Sequence, residues 1–245
     1  MNIQQGEAFA WQMRMSKRAK RPRITLDKYG VVELVWPEKM STRTAPKLML
    51  EHTPWILQRL EGQPPQQAEE FPPSQLDLLA MNQCWQVYDA QHDAQHAGHV
   101  QLLEQEQGTL LISAEWADRE KLRLLLCAWL KEQAKAVLIP MLADIAEEMG
   151  EHYASVSIRL QKRRWGSCSI ARRINLNAAL LFLPPVLVRH VLIHELAHLQ
   201  HHNHSAKFWA WVAQHDSCYK QHRADLHAQS HLVPQWLTHP IKLYN

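Results

Sequence analysis

The sequence has few of the residues that nucleotide-binding loops and disulfide frameworks need. It contains only 7 glycines among 245 residues, and none stands in a G-x-x-x-x-G-K or G-x-G-x-x-G pattern. Its 4 cysteines lie far apart and form no C-x-x-C pair. Walker-type and Rossmann-type loops are therefore excluded, and the cysteines are expected to be reduced thiols rather than disulfides or a thiolate zinc cage.

Long apolar runs are also missing. The apolar stretch from Leu122 to Leu130 is broken by Arg123, and the stretch from Ala178 to Val188 is broken by two prolines. Both are shorter than the ~20 residues that cross a bilayer. The basic N-terminal segment lacks the apolar core of a secretory signal. We therefore expect a cytoplasmic protein that does not interact with membranes.

The composition is that of a folded globular chain. Hydrophobic residues make up 46% of the sequence and the formal net charge is +3. At ~150 residues per domain the length allows one or two domains. We expect a β-rich N-terminal subdomain with one helix at residues 11–115, continuous with a catalytic subdomain at residues 116–245. The expected fold class is α+β, with a small mixed or antiparallel sheet and helices packed on one side.

Local patterns in the first half predict a hairpin and a helix. Residues 23–35 alternate around a turn signal at residues 27–30, which is typical of a β-hairpin. A helix should follow, capped by Ser41 or Thr44. The Gln-, Glu- and Pro-rich residues 61–73 predict a surface linker.

The second half begins with a long helical pattern from Asp118 to Met149. Asp118 can cap its start, Gly150 can close its end, and Pro140 is expected to kink or divide it. Two alternating runs, residues 156–160 and 174–177, then predict strands separated by a loop.

The abundance of histidine is the most unusual feature of the sequence, because 6 of the 16 histidines fall between His190 and His204. Two prolines open a predicted helix that runs to about Gln200. Within it, His194-Glu195-Leu196-Ala197-His198 matches H-E-x-x-H. Residues i and i+4 share a helix face, so two imidazoles can bind one metal ion with Glu195 beside them. The surrounding segment is apolar, and burying these polar groups without partners would cost several kcal/mol.

A zinc ion that keeps one position open for water needs a third protein ligand. His204 is the predicted third ligand, six residues after His198 as in H-E-x-x-H-x-x-G-x-x-H. His201 occupies the place of that motif's glycine, so the connecting turn must differ. No glutamate follows the motif, which excludes a downstream Glu ligand. Asp216 and Asp225 remain as alternative ligands.

These residues resemble the YgjP-like metallopeptidase domain, a zincin relative of the SprT and WLM groups. The matching segments are Arg164-Trp165-Gly166-Ser167-Cys168-Ser169, Ile174-Asn175-Leu176-Asn177, His194 to Leu199, and Asn203-His204-Ser205 with Phe208-Trp209. The resemblance implies a zincin-like fold in which the metal-binding helix lines a cleft. It also implies zinc as cofactor, bound by His194, His198 and His204, and Glu195 as the catalytic carboxylate. One departure is Ala171-Arg172-Arg173, where the family often has a glycine.

The expected function is therefore zinc-dependent hydrolysis of peptide bonds in a protein or peptide substrate. A metal-activated water would attack the carbonyl, and Glu195 would act as general base. The strand at Ile174 to Asn177 is expected at the sheet edge, where an extended peptide could pair with it.

Two other functions are compatible with the sequence. One is a metal-dependent nucleoside triphosphate pyrophosphohydrolase, and the other is a nucleic-acid-associated module with structural zinc. Both would use two basic clusters that could form one positive surface for nucleic acid or nucleotides. The clusters are Arg14, Lys17, Arg18, Lys20, Arg21 and Arg23, and Arg159, Lys162, Arg163, Arg164, Arg172 and Arg173.

The remaining chemically active side chains are expected to be structural or solvated. His190 is expected to support the metal site from outside or to lie at the surface. Tyr219 is expected to be a core residue, with an oxyanion contact as the alternative, and Cys168 a buried filler rather than a nucleophile. The histidines expected to be solvated are His201, His202, His215, His222, His227, His231 and His239.

Overall fold

The computed structural model describes residues 3–5, 9–26, 32–61, 71–89, 101–105, 108–113, 118–162 and 164–238. The predicted turn at residues 27–30, residues 62–70 of the predicted linker, and His239 lie outside these ranges. The chain divides into two compact units, Met1–Ala68 and Glu69–Asn245. The functional division into residues 11–115 and 116–245 stays a prediction.

The first unit contains a four-stranded mixed sheet. Its strands are β1 (Ile3–Gln5), β2 (Ala10–Ser16), β3 (Arg23–Leu26) and β4 (Val32–Pro37), in the order β1-β2-β4-β3. The central pair β2 and β4 is parallel, and the outer pairs are antiparallel. Arg23 pairs with Val35 across β3 and β4, which confirms the predicted pair of antiparallel strands.

Two short helices follow where one was expected, α1 (Ala45–Glu51) and α2 (Thr53–Glu61). The helix is interrupted at His52, two residues before Pro54, which has no backbone N–H to continue the helical hydrogen bonds and whose ring crowds the preceding turn. Neither Ser41 nor Thr44 caps a helix through its side chain.

The core of this unit lies between the sheet and the helices. Its members are the buried side chains of Trp11, Val32, Leu34, Trp36, Ala45, Met49 and Ile56. Apolar residues of β4 and of both helices therefore stabilise the first unit by packing together.

The second unit begins with another four-stranded sheet. Its strands are β5 (Gln75–Leu78), β6 (Gln83–Asp89), β7 (Gln101–Gln105) and β8 (Thr109–Ser113), in the order β5-β6-β8-β7. Again the central pair is parallel and the outer pairs are antiparallel. This sheet thus repeats the strand order and directions of the first one.

A single long helix, α3 (Arg119–Met149), follows. Both predicted ends are confirmed, because the Asp118 carboxylate accepts a hydrogen bond from the Lys121 amide at 3.1 Å and Gly150 has φ 65°. Pro140 lies inside the helix without dividing it, so the predicted division was wrong, and the predicted kink stays a prediction. Leucines buried on both sides of the proline, including Leu130 and Leu142, hold the two halves in the same core.

A three-stranded sheet comes next, formed by β9 (Ser155–Arg159), β10 (Gly166–Cys168) and β11 (Arg173–Asn177) in the order β10-β11-β9. The expectation that Ile174 to Asn177 lies at the sheet edge was wrong, because β11 pairs with β9 on one side and β10 on the other. The edge strands are β9 and β10, and β10 has only three residues, too few to show an alternating pattern in the sequence.

The remaining helices are α4 (Pro185–Ala197), α5 (Ala206–His215), α6 (Tyr219–Ala228) and α7 (Gln235–Thr238). Pro185 starts α4 as predicted, but the helix ends before the expected Gln200. Helix α4 packs against α3, α5, α6 and β10, so most of its residues are buried. The H-E-x-x-H segment therefore lies in the centre of the second unit.

The fold class is α+β, with small mixed sheets and several helices, as predicted. Within the described ranges, no helix combines the length and apolar character needed to cross a membrane.

Candidate metal centre and its cleft

Three histidine rings meet at the end of α4. His194 and His198 lie one turn apart on the helix, and His204 comes from the loop between α4 and α5. The ring centres are 4.9 Å apart for His194 and His198, 4.9 Å for His194 and His204, and 4.8 Å for His198 and His204. One ring nitrogen from each residue lies within 4.8 Å of the other two. We call these three residues the histidine triad.

Phe208 packs against all three rings. Its ring centre is 4.9 Å from His194, 4.6 Å from His198 and 4.9 Å from His204. Phe208 is fully buried on α5, so it fixes the positions of rings from two different parts of the chain. The sequence places Phe208 on an apolar helix face but gives no sign of this contact.

Two members of the triad, His194 and His198, are held in the neutral form that metal binding requires. Burial, followed by the neighbouring His198 and His204, lowers the pKa of His194 to about 3. Burial also lowers the pKa of His198. The Nδ1–H of His198 donates to the His201 carbonyl at 3.0 Å, which leaves Nε2 with its lone pair. The sequence gives no sign of this contact between His198 and the His201 carbonyl.

The arrangement of nitrogens suits a divalent ion. The Nε2 atoms of His194 and His204 lie 3.0 Å apart, within hydrogen-bond distance, so without a metal one ring can donate to the other. A divalent cation can take the place of that shared proton and bind both nitrogens, and three imidazoles are a common ligand set for zinc. The chemistry of the donors therefore fits a bound metal ion.

Glu195 lies beside the triad and is 5% exposed. Burial raises the pKa of its carboxyl to about 8, although the positive charge of Arg164 acts in the opposite direction. Its buried Oε2 has no hydrogen-bond partner among the described residues. A carboxylate oxygen in this state is costly unless a cation or a bound water satisfies it.

Gly166 in the edge strand β10 provides the space for Glu195. A β-carbon at Gly166 would lie 2.7 Å from both Cγ and Oε1 of Glu195, closer than atoms can approach without moving. Only glycine fits at this point of β10 while the carboxylate keeps its position. The sequence shows the glycine, but its partner becomes visible only in three dimensions.

His194 and His204 of the triad and Glu195 line a cleft of about 590 Å³, a size typical of sites for small ligands or short peptide segments. Its walls come from the start of β10, from α4, from the loop between α4 and α5, and from α5 and α6. The residues that line it are Arg164, Trp165, Gly166, His190, Val191, His194, Glu195, His204, Trp209, Arg223 and Leu226. The metal-binding helix therefore lines a cleft, as the resemblance implied.

A second cluster lies next to the triad. The Asp216 carboxylate accepts hydrogen bonds from Nδ1 of His190 at 2.6 Å and from Nδ1 of His222 at 2.9 Å. Burial by itself would raise the pKa of Asp216, but the hydrogen bonds from His222 and His190 hold it below its ordinary value. The ring centres of His190 and His194 are 6.4 Å apart. We call His190, Asp216 and His222 the aspartate cluster.

Several expectations for individual side chains need correction. His190 is buried, which excludes the surface alternative, and its support of the metal site stays a prediction. His222 is half-buried rather than solvated, because it binds Asp216. Asp216 and Asp225 are not grouped with the triad, and Asp225 accepts a hydrogen bond from Gln221 at 2.8 Å. Of the other histidines expected in solvent, those that are exposed are His202, His227 and His231, and those that are half-buried are His201 and His215.

Cys168 and Tyr219 fit structural roles. Burial raises the pKa of the Cys168 thiol to about 11, so the thiol stays protonated and is a poor nucleophile at neutral pH. The Tyr219 ring stacks on Trp209 with ring centres 5.4 Å apart. Tyr219 is not among the described residues that line the cleft.

Residues 171–173, where the family often has a glycine, include a backbone conformation that favours glycine. Arg172 adopts φ 56°, in the left-handed region. Its guanidinium donates to the His152 carbonyl and lies 3.6 Å from the Glu151 carboxylate. These contacts offset the conformational strain of a non-glycine residue at this turn.

The two basic clusters belong to different units. The cluster from Arg14 to Arg23 lies in Met1–Ala68, where Arg14 pairs with Glu33 at 3.1 Å. The cluster from Arg159 to Arg173 lies in Glu69–Asn245. A single positive surface formed by both clusters stays a prediction.

Comparisons with known proteins agree with the geometry. The YgjP-like family, described as a metallopeptidase domain, matches residues 20–229. The crystal structure of the metallopeptidase zymogen of Pyrococcus abyssi abylysin is similar at 26% sequence identity, with a TM-score of 0.35. That match covers 38% of this chain and 95% of the other. Comparison with the curated proteins gives no match. These findings give no support to a nucleic-acid partner.

Proposed function

Because the chain belongs to the YgjP-like metallopeptidase family, we propose that it is a zinc-dependent peptidase with His194, His198 and His204 as zinc ligands and Glu195 as general base. Family membership makes it a metal-dependent peptidase with a zincin-like fold. The observation that carries the finer proposal is the convergence of three imidazoles beside a buried carboxylate oxygen that has no hydrogen-bond partner among the described residues.

Zinc is the metal that this ligand set suits best. Three imidazole nitrogens with no thiolate among them are found at catalytic zinc sites, where a fourth position remains for water or substrate. When bound, such an ion lowers the pKa of a coordinated water and polarises a substrate carbonyl. The neutral state of His194 and His198 leaves the nitrogen lone pairs available.

Glu195 supplies the acid–base chemistry in this proposal. Burial raises the pKa of its carboxyl to about 8, and the positive charge of Arg164 favours its ionised form. The ionised carboxylate accepts a proton from the attacking water and then transfers it to the leaving amine. Gly166 lets the carboxylate approach the cleft without obstruction.

The edge strand β10 offers a place for the substrate backbone. One side of β10 pairs with β11, and Gly166 at its start lines the cleft. An extended peptide can add to the free side of an edge strand through main-chain hydrogen bonds. This assigns to β10 the role that the sequence suggested for β11.

The proposal is tested by zinc analysis and hydrolysis of unstructured, casein-like peptides by the wild type and a Glu195→Gln variant. We expect about one zinc per chain in both proteins and a loss of hydrolysis of at least about 100-fold in the variant, the lower end of general-base effects. Glu148→Gln is the matched control, because Glu148 forms an exposed ion pair with Arg189 at 2.6 Å. Undiminished hydrolysis by Glu195→Gln would remove Glu195 as the base.

A further inference from the structure

We infer that the cleft contains a carboxylate-binding subsite, in which Arg164 and Arg223 bind a carboxylate of the peptide substrate close to the scissile bond. This inference rests on the proposed peptidase function and specifies its substrate class. It concerns two arginines that neither bind the metal nor transfer the proton in the proposed function.

The charge of the cleft is the first reason. Its lining contains two guanidinium groups, from Arg164 and Arg223, and Glu195 is the only carboxylate among the described lining residues. Neither guanidinium forms an ion pair with an acidic side chain within the described part of the chain. With a divalent ion bound, the cleft is strongly positive, and such a cleft attracts anionic groups and repels basic ones.

The way Arg223 is held is the second reason. Its guanidinium carbon lies 5.1 Å from the centre of the Trp209 ring, and Trp209 in turn stacks on Tyr219. The residue before it, His222, binds Asp216, which also binds His190 on α4. The aspartate cluster thereby ties α6 to the metal-binding helix. A guanidinium fixed in this way loses less conformational entropy when it binds a ligand.

Arg164 is held by its backbone at the start of β10. The side-chain amide of Asn177 donates to the Arg164 carbonyl at 2.8 Å, and the Asn177 backbone amide donates to the Trp165 carbonyl at 2.8 Å. These bonds fix Arg164 two residues before Gly166, at the strand on which the peptide is proposed to pair. The second guanidinium therefore stands beside the path of the substrate backbone.

A carboxylate fits this pair because the planar fork of arginine matches its two oxygens. In a peptide the carboxylate comes from one of two sources, the free C-terminus or an acidic side chain. Both present the same group to the arginines, so the experiment must distinguish them.

The experiment measures binding of three peptides to the zinc-loaded Glu195→Gln variant by calorimetry, so that hydrolysis does not interfere. The peptides share one sequence and carry a free C-terminal carboxylate, a C-terminal amide, or an amide together with an internal glutamate. We expect at least one carboxylate peptide to bind about tenfold or more tightly than the neutral amide, because hydrogen bonds to charged groups are worth about 1.5–3 kcal/mol. The tighter peptide identifies the source.

Adding Arg223→Gln or Arg164→Gln to the Glu195→Gln variant should reduce the preference for the carboxylate peptide over the amide severalfold or more. Adding Arg223→Lys should retain part of this preference. Arg189→Gln is the matched control, because Arg189 is an exposed arginine that pairs with Glu148 away from the cleft lining. Both cleft arginines are exposed, so these variants should keep the unfolding temperature of the parent protein.

The outcomes separate this inference from the proposed function. Equal binding of all three peptides, no binding of any, or preferences unchanged by both arginine substitutions would overturn the subsite. Tighter binding of a nucleoside triphosphate than of any peptide, lost in Arg223→Gln, would also overturn it. If the carboxylate preference is found but the wild type hydrolyses no peptide, the subsite stands and the peptidase proposal fails.

Discussion

The histidine triad and the aspartate cluster are both built on α4, but the aspartate cluster contains a carboxylate and the triad does not. In the aspartate cluster, Asp216 accepts a hydrogen bond from each of two imidazoles, so these side chains satisfy one another. In the triad no carboxylate stands among the three rings, and two Nε2 atoms face each other at 3.0 Å. A carboxylate between histidines completes a hydrogen-bonded network, whereas converging histidine nitrogens without one are suited to bind a cation.

The comparison also separates two tasks. In the proposed function the triad supplies the nitrogen donors for the metal. The aspartate cluster links α6 to α4 and so positions the cleft wall that carries Arg223. Loss of a triad member should therefore remove the metal, while loss of a member of the aspartate cluster should loosen the structure around it.

The largest expected effect is the loss of zinc affinity when a histidine of the triad is replaced. Replacement of a histidine of the aspartate cluster serves as the comparison. His198→Gln should lower zinc affinity at least about 100-fold, beyond the roughly 10- to 100-fold effect of residues that only support ligands, and abolish hydrolysis. His222→Gln should keep about one zinc per chain. Competition with a chromogenic chelator measures both affinities. Equal zinc loss in the two variants would break the distinction between the clusters.

A smaller effect is expected from Gly166→Ala, because the added methyl group would displace the Glu195 carboxylate from its position. We expect hydrolysis to fall about 100-fold, as for other displacements of about 1 Å at a catalytic group. Zinc content should not change. Gly150→Ala is the control for the added methyl group, since a β-carbon there meets no atom within 4 Å at the end of α3. Its φ of 65° makes alanine strained, so this variant should lose some stability but keep its hydrolysis. Full activity of Gly166→Ala would show that Glu195 tolerates displacement.

The smallest effect concerns stability. Asp216→Asn removes an acceptor from two buried hydrogen bonds and should lower the free energy of unfolding by about 1–3 kcal/mol, with zinc retained. Asp225→Asn, which affects a single bond to Gln221, should change it by less. Urea denaturation of the zinc-loaded proteins measures both. A larger loss from the Asp225 substitution would contradict the structural role of the aspartate cluster.

Features that depend on neighbouring residues in the sequence were predictable. The ends of α3 follow from Asp118 and Gly150, the start of α4 follows from Pro185, and the geometry of a helix places His194 and His198 together. Each of these depends on contacts within a few residues. The α+β class and the family were likewise predictable, because the motifs occur in order along the chain.

Features that depend on distant residues were not predictable. Gly166 is required by Glu195, and Phe208 packs on three histidines from two segments. The order β10-β11-β9 depends on pairing across a loop, so the sequence pattern could not show which strand is at the edge. Asp216 looked like a spare metal ligand because its two histidine partners are 26 and 6 residues away.

X-ray absorption at the zinc edge of the zinc-loaded wild type tests the central claim most directly. The account predicts three imidazole nitrogens at roughly 2.0–2.1 Å and one oxygen from water, with one nitrogen lost in His204→Gln. A spectrum that requires sulfur, a protein carboxylate or a fourth imidazole in the coordination sphere would contradict the assignment of His194, His198 and His204 as the complete set of protein ligands.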